Sequence, residues 1–115
     1  MNEKIKTNKN ILTVNNTEII FDHDIRDVKI FRNLIIVLLS IPFNETELDN
    51  LYAISKHGEI VWRVQALDVV FPNQNNLPYE QINVNENEIT ATDFYARRYF
   101  INPLNGNIEK REIGK

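Results

Sequence analysis

The run Leu34-Ile35-Ile36-Val37-Leu38-Leu39-Ser40-Ile41 limits the choice of fold more than any other segment. It shows neither the alternation of a strand with one wet face nor the polar stripe of a surface helix. Its length falls within the roughly 4–8 residues of a strand buried on both sides. Left on an open edge, such a strand would template aggregation. The chain must therefore place it centrally, with a layer against each face. The run is less than half the ~20 apolar residues that a membrane helix needs, so no membrane-spanning segment is expected.

Around this run the apolar residues recur with a period of two. Ile11–Val14 and Thr17–Phe21 form a hairpin signal across Asn15-Asn16, since asparagine tolerates the positive φ of a two-residue turn. Ile25, Val28 and Ile30 alternate imperfectly and are read as a strand. Leu51–Ser55 and Glu59–Val64 flank Lys56-His57-Gly58, with glycine where a left-handed residue ends the turn. Ile60, Trp62 and Val64 then share one face, which is expected to be core. The prolines and asparagines of Phe71–Pro78 read as a loop long enough to be functional. Glu88–Thr92, Arg97–Ile101 and Ile108–Glu112 are further strands, the last charged in the manner of a protected edge. The polar first ten residues are expected to be a flexible arm, leaving 11–115 as a single β domain. The fold class is all-β: antiparallel meanders that form a small sandwich or a barrel.

Tyr52-Ala53-Ile54 before Gly58 lines up with Tyr99-Phe100-Ile101 before Gly106, offset by 47 residues at the tyrosines and 48 at the glycines. That period is close to one β-propeller blade. The stretch Leu51–Trp62 resembles a blade hairpin of pyrroloquinoline-quinone-type propellers, with Ala53, Gly58 and Trp62 at the recurring alanine, glycine and tryptophan. The resemblance implies blade-like repeats and a tryptophan packed at the junction with a neighbouring blade. It implies no activity. The second copy departs from the pattern at Phe100 and near Lys110, and Ser55 stands where the family usually has aspartate. A chain of 115 residues holds about two blades, whereas closed propellers typically have about four or more.

Composition removes whole classes of chemistry. Without cysteine there is no disulfide framework, thiolate metal site or cysteine nucleophile. Three glycines cannot build a phosphate-cradling loop, and no serine sits in a nucleophile-elbow pattern. No cofactor is expected. A net charge of −3 argues against nucleic acid as a partner, because such affinity leans on basic faces. The start of the chain lacks the apolar core of a signal peptide, and the expected location is cytoplasmic.

Three groups of residues merit weight. Asp22, His23, Asp24 and Asp27 bring carboxylates and an imidazole together, a weak candidate for a metal site. Glu45, Glu47 and Asp49 form a second acidic patch. Tyr95, Arg97 and Arg98, with Tyr79 and Phe71, make an aromatic and arginine cluster of the kind favoured at protein interfaces. The functional expectation is a non-enzymatic protein-binding module, such as an antidote-type or regulatory partner. A self-associating structural protein, hence a homo-oligomer, and a small carboxylate-based enzyme are the alternatives.

Overall fold

The structure, a computed structural model, describes residues 4–113. Eleven strands and one helical turn run in the order β1 (Ile5–Asn8), β2 (Ile11–Val14), β3 (Thr17–Ile20), β4 (Ile25–Phe31), β5 (Leu34–Leu39), β6 (Leu51–Ser55), β7 (Ile60–Arg63), α1 (Leu67–Val70), β8 (Tyr79–Val84), β9 (Ile89–Asp93), β10 (Arg97–Ile101) and β11 (Ile108–Ile113). They form three antiparallel meanders: a first sheet β1-β2-β3, a second β4-β5-β6-β7 and a third β8-β9-β10-β11.

The second sheet is the middle layer. One of its faces carries Ile35, Val37, Leu39 and Ile54 against Leu12, Val14 and Phe21 of the first sheet and its exit. The other carries Phe31, Ile36, Leu38, Leu51, Ala53 and Trp62 against Tyr79, Ile82, Ile89, Ala91, Tyr99 and Ile101 of the third. This is why β5 is apolar on both sides, as its sequence requires. Burying a residue of this kind is worth about 1.5–3 kcal/mol, so the two seams dominate the stability of the chain.

The antiparallel all-β class is therefore what forms, with the two four-stranded meanders packed face to face and no sheet closed into a barrel. One boundary differs from expectation. Residues 5–8, within the expected flexible arm, form the edge strand β1, which pairs with β2 from Ile5↔Val14 to Asn8↔Ile11. Ile5, half-buried, packs on the first seam, and a single apolar side chain in a polar stretch is too short a signal for periodicity to register.

The imperfect alternation of the sequence comes from β-bulges. In β4 the pairing steps from Ile25↔Leu39 to Asp27↔Leu38, leaving Arg26 as the extra residue. In β8 it steps from Tyr79↔Asp93 to Gln81↔Thr92, leaving Glu80. Each bulge shifts the face of everything after it, which puts buried Tyr79 and Ile82 three apart and hides β8 from a period-two reading. The last hairpins of both four-stranded meanders carry further shifts, between Ala53 and Ile54 and between Phe100 and Ile101. These are aligned positions of the 47-residue repeat. The first of them also turns Ile60 away from the Trp62 face, so Ile60 is 54% exposed rather than core.

Trp62 closes the seam between the second and third sheets. Its Nε1–H donates to the Pro103 carbonyl at 2.8 Å, and its ring lies on Gly106, where an added Cβ would fall 2.7 Å from Cε3. Gly58 has the same relation to the first sheet, with Thr17 Cγ2 2.6 Å from the place of its absent Cβ. Both glycines have positive φ, +81° and +77°, so each turn needs glycine for its backbone and for its neighbour's space.

Candidate functional site

Two buried polar residues shape one end of the sheets. Asn50, 1% exposed, lies just before β6 and acts as a substitute peptide unit. Its Nδ2 donates to the carbonyls of Leu39 at 2.7 Å and Tyr79 at 2.9 Å, and its Oδ1 accepts from the Tyr79 N–H at 2.9 Å. The exit of β5 is thereby fixed to the start of β8, which sets Ile41-Pro42-Phe43 beside Leu77-Pro78.

Asp93, at the end of β9, organises the turn into β10. Its carboxylate accepts from the backbone N–H of Tyr95 at 3.0 Å and of Arg97 at 3.1 Å. It also accepts from Arg97 Nε at 2.7 Å. The Tyr99 hydroxyl donates to it at 3.4 Å. With the backbone gathered onto a buried acid, Phe94 and Tyr95 are pushed outward and Ala96 takes a φ of +64°.

Between these pinned elements lies a cleft of about 250 Å³ lined by Ile41, Pro42, Phe43, Glu45, Leu77, Pro78, Glu80, Phe94 and Tyr95. Three aromatic residues stand in it exposed: Phe43 at 93%, Phe94 at 66% and Tyr95 at 57%. The Phe43 and Phe94 rings meet edge to face at 6.4 Å, and Phe94 lies 6.0 Å from Tyr95. Rings left in water so close together form an exposed apolar patch.

The two carboxylates in the lining are each backed by a basic side chain. Glu45 Oε1 meets His23 Nε2 at 2.6 Å, and Glu80 Oε1 meets Arg26 Nη1 at 3.2 Å. The second contact joins the two bulged residues, so the irregularities of β4 and β8 exist side by side and face each other. The His23 pKa is raised, first by the hydrogen bond to Glu45; burial opposes this, and the charges of Glu45, Glu47 and Asp22 add to it.

The residues singled out in the sequence separate. Tyr95 is in the cleft. Arg97 is beside it, with its guanidinium 5.4 Å from the Tyr95 centroid, but it is held by Asp93 and by the Asn75 carbonyl at 2.9 Å. Arg98 lies on the outward face of the third sheet with Thr90, Phe100 and Lys110. Tyr79 is core rather than surface, 1% exposed, and burial pushes its hydroxyl pKa up. Phe71 is half-buried against Tyr99 at 6.0 Å with the Arg111 guanidinium over its ring at 4.1 Å. The aromatic and arginine cluster is thus dispersed, because strand alternation sends neighbouring residues to opposite faces.

The acidic candidates disperse too. His23 turns to Glu45, while Asp27 caps the Val28 N–H at 2.8 Å and lies near Lys29. Among the described residues no three His, Asp or Glu side chains gather in a way that could hold a metal ion. Asp49 is committed to the Leu67 N–H at 2.9 Å, at the start of α1, and burial raises its pKa against that bond. No helix among the described residues is long and apolar enough to cross a membrane.

Phe43 and Phe94 escaped the sequence reading, although each carries a signal. Phe43 is a large apolar residue inside an acidic connection, and Phe94-Tyr95 are adjacent aromatics between two strand patterns. Neither can be assigned to a core face by alternation.

Fold and cleft together define an all-β protein of three stacked sheets with an aromatic cleft open at one end. The chain belongs to a family described as a domain of unknown function, DUF7957, whose profile matches residues 2–113. No curated protein and no solved structure matches it.

Proposed function

We propose that this protein is a binding module that engages another protein through the cleft of Phe43, Phe94 and Tyr95. The observation that carries this reading is the row of three exposed aromatic rings, with Phe94 against both Phe43 and Tyr95. They sit on one turn and one connection, tied down at their ends by Asp93 and Asn50, so little conformational freedom has to be lost when a partner arrives. Aromatic anchors of this kind supply most of the energy of protein interfaces. The cleft is also smaller than the roughly 300–1,000 Å³ of ordinary small-molecule pockets. A side chain inserted by a partner suits it better than a free ligand.

The stacking of Trp62 on Gly106 across a seam supports a blade-like reading of the second and third sheets, and in that reading the cleft belongs to the loops at one end of the blades. The supported role is recognition rather than turnover.

Site-specific photo-crosslinking tests the proposal. A benzophenone amino acid placed at Phe94 should capture a discrete partner in cells, whereas the same group at Val69, exposed and outside the cleft lining, should not. A Phe94 product with the mass of two copies of the chain would replace the proposal with self-association. Equal labelling from both positions would remove the cleft as the docking surface.

A further inference from the structure

We propose that the side chain received by the cleft is a cation, an arginine or lysine of the partner carried next to an apolar residue. This rests on the docking function proposed for the same cleft and assigns its chemistry.

Among the described residues, the polar side chains of the lining apart from the Tyr95 hydroxyl are the carboxylates Glu45 and Glu80, and no basic side chain is with them. Each carboxylate is oriented from behind by a contact to one oxygen, Glu45 by His23 at 2.6 Å and Glu80 by Arg26 at 3.2 Å. Among the described residues the second oxygen of each accepts no hydrogen bond. Each therefore keeps acceptor capacity for an incoming donor, since an ionised carboxylate has about four lone-pair sites.

The aromatic walls favour the same ligand. Ring faces carry negative quadrupole charge and attract ammonium and guanidinium groups within about 6 Å. The chain already demonstrates this at the cleft, where the Arg97 guanidinium lies 5.4 Å from the Tyr95 centroid. Phe43 and Phe94 stand at 85° and Phe94 and Tyr95 at 58°, so ring surfaces point in several directions around the opening. A long basic side chain fits such walls with its methylene stem on the apolar surface and its charge at the carboxylates.

Charge also selects against other occupants. The chain has a net charge of −3, and Glu47 and Asp22 add to the negative field on the His23 side of the cleft. An acidic segment would be repelled. A purely apolar one would cover the second oxygen of each carboxylate without offering it a donor.

The test is a titration of the isotope-labelled protein with three capped peptides, Ac-Gly-Leu-X-Leu-Gly-amide, in which X is arginine, norleucine or glutamate. The arginine peptide should shift the resonances of Phe43, Phe94 and Tyr95 in a saturable way and bind about fivefold or more tightly than the norleucine peptide. The double variant Glu45→Gln, Glu80→Gln, shown to be folded by its dispersed spectrum, should lower the arginine peptide to the norleucine level. Equal binding of the arginine and glutamate peptides would overturn the assignment of a cation while leaving the cleft as a docking site. No shift at the three aromatic residues with any peptide at millimolar concentration would overturn the docking function as well.

Discussion

Adding one methyl group at Gly106 should be among the most damaging conservative changes in this chain. An alanine Cβ there would lie 2.7 Å from Trp62 Cε3, 2.8 Å from Cδ2 and 3.1 Å from the Arg63 carbonyl. The indole cannot slide away without giving up its 2.8 Å hydrogen bond to Pro103. Overpacking of this sort costs about 1–3 kcal/mol, and holding alanine in the left-handed region adds about 1–2 kcal/mol. The loss of freedom in the unfolded chain returns roughly 0.4–1 kcal/mol. Gly106→Ala is therefore expected to lose about 2–4 kcal/mol of the roughly 5–15 kcal/mol available to a domain. Urea unfolding followed by intrinsic fluorescence is the natural assay, because the chain has one tryptophan and it lies at the contact in question. With a slope near 2 kcal/mol per molar, the midpoint should fall by about 1–2 M. In a Trp62→Leu background, followed by circular dichroism, the clash with the ring is gone and Gly106→Ala should cost only the backbone strain less the unfolded-state return, about 0–1.5 kcal/mol. A loss below about 1 kcal/mol in the native background, or equal losses in both backgrounds, would refute the view that the ring and the turn are locked together.

Two further predictions concern the polar supports of the cleft. Asn50→Leu strands the N–H and C=O of Tyr79 and the C=O of Leu39, which should cost on the order of 3 kcal/mol or more; a chemical-denaturation loss under about 1 kcal/mol would show that the groups re-pair. His23 has a raised pKa in the fold, so its bond to Glu45 stabilises fully below the ordinary value of 6.5 and fades as pH climbs through the raised value. The melting-temperature advantage of the native chain over His23→Gln should accordingly shrink as pH rises above the ordinary value of 6.5, and an advantage that grows with pH would contradict the assignment.

Much of the layering was legible because hydrophobic burial writes itself into period and run length. Leu34–Ile41 announced a middle strand, the hairpin at Gly58 announced itself through its turn, and Trp62 was core as expected. Legibility failed where the chain breaks period two. The extra residue Glu80 hid β8, and the bulge beside Ala53 moved Ile60 to the other face. The single turn α1 is too short to show helical periodicity. The cleft was legible only at Tyr95, because its walls come from three segments that Asn50 and Asp93 bring together through side-chain hydrogen bonds. Such long-range pairings leave no local trace. Arg97 and Tyr79 looked like surface anchors because residue type alone does not distinguish an exposed arginine or tyrosine from one held by a buried acid or packed in a seam.

The two-sided greasiness of β5 has a consequence for how the chain is born. As synthesis proceeds, the first sheet can cover one flank of the emerging second sheet at once, since its residues have already left the ribosome. The other flank must wait for Tyr79 through Ile101 to be made. During that interval a half-finished product displays Ile36, Leu38 and Leu51 to the surroundings, a sticky surface of the kind that chaperones shield. Truncations that stop near Val64 should therefore precipitate rather than persist as a smaller stable protein.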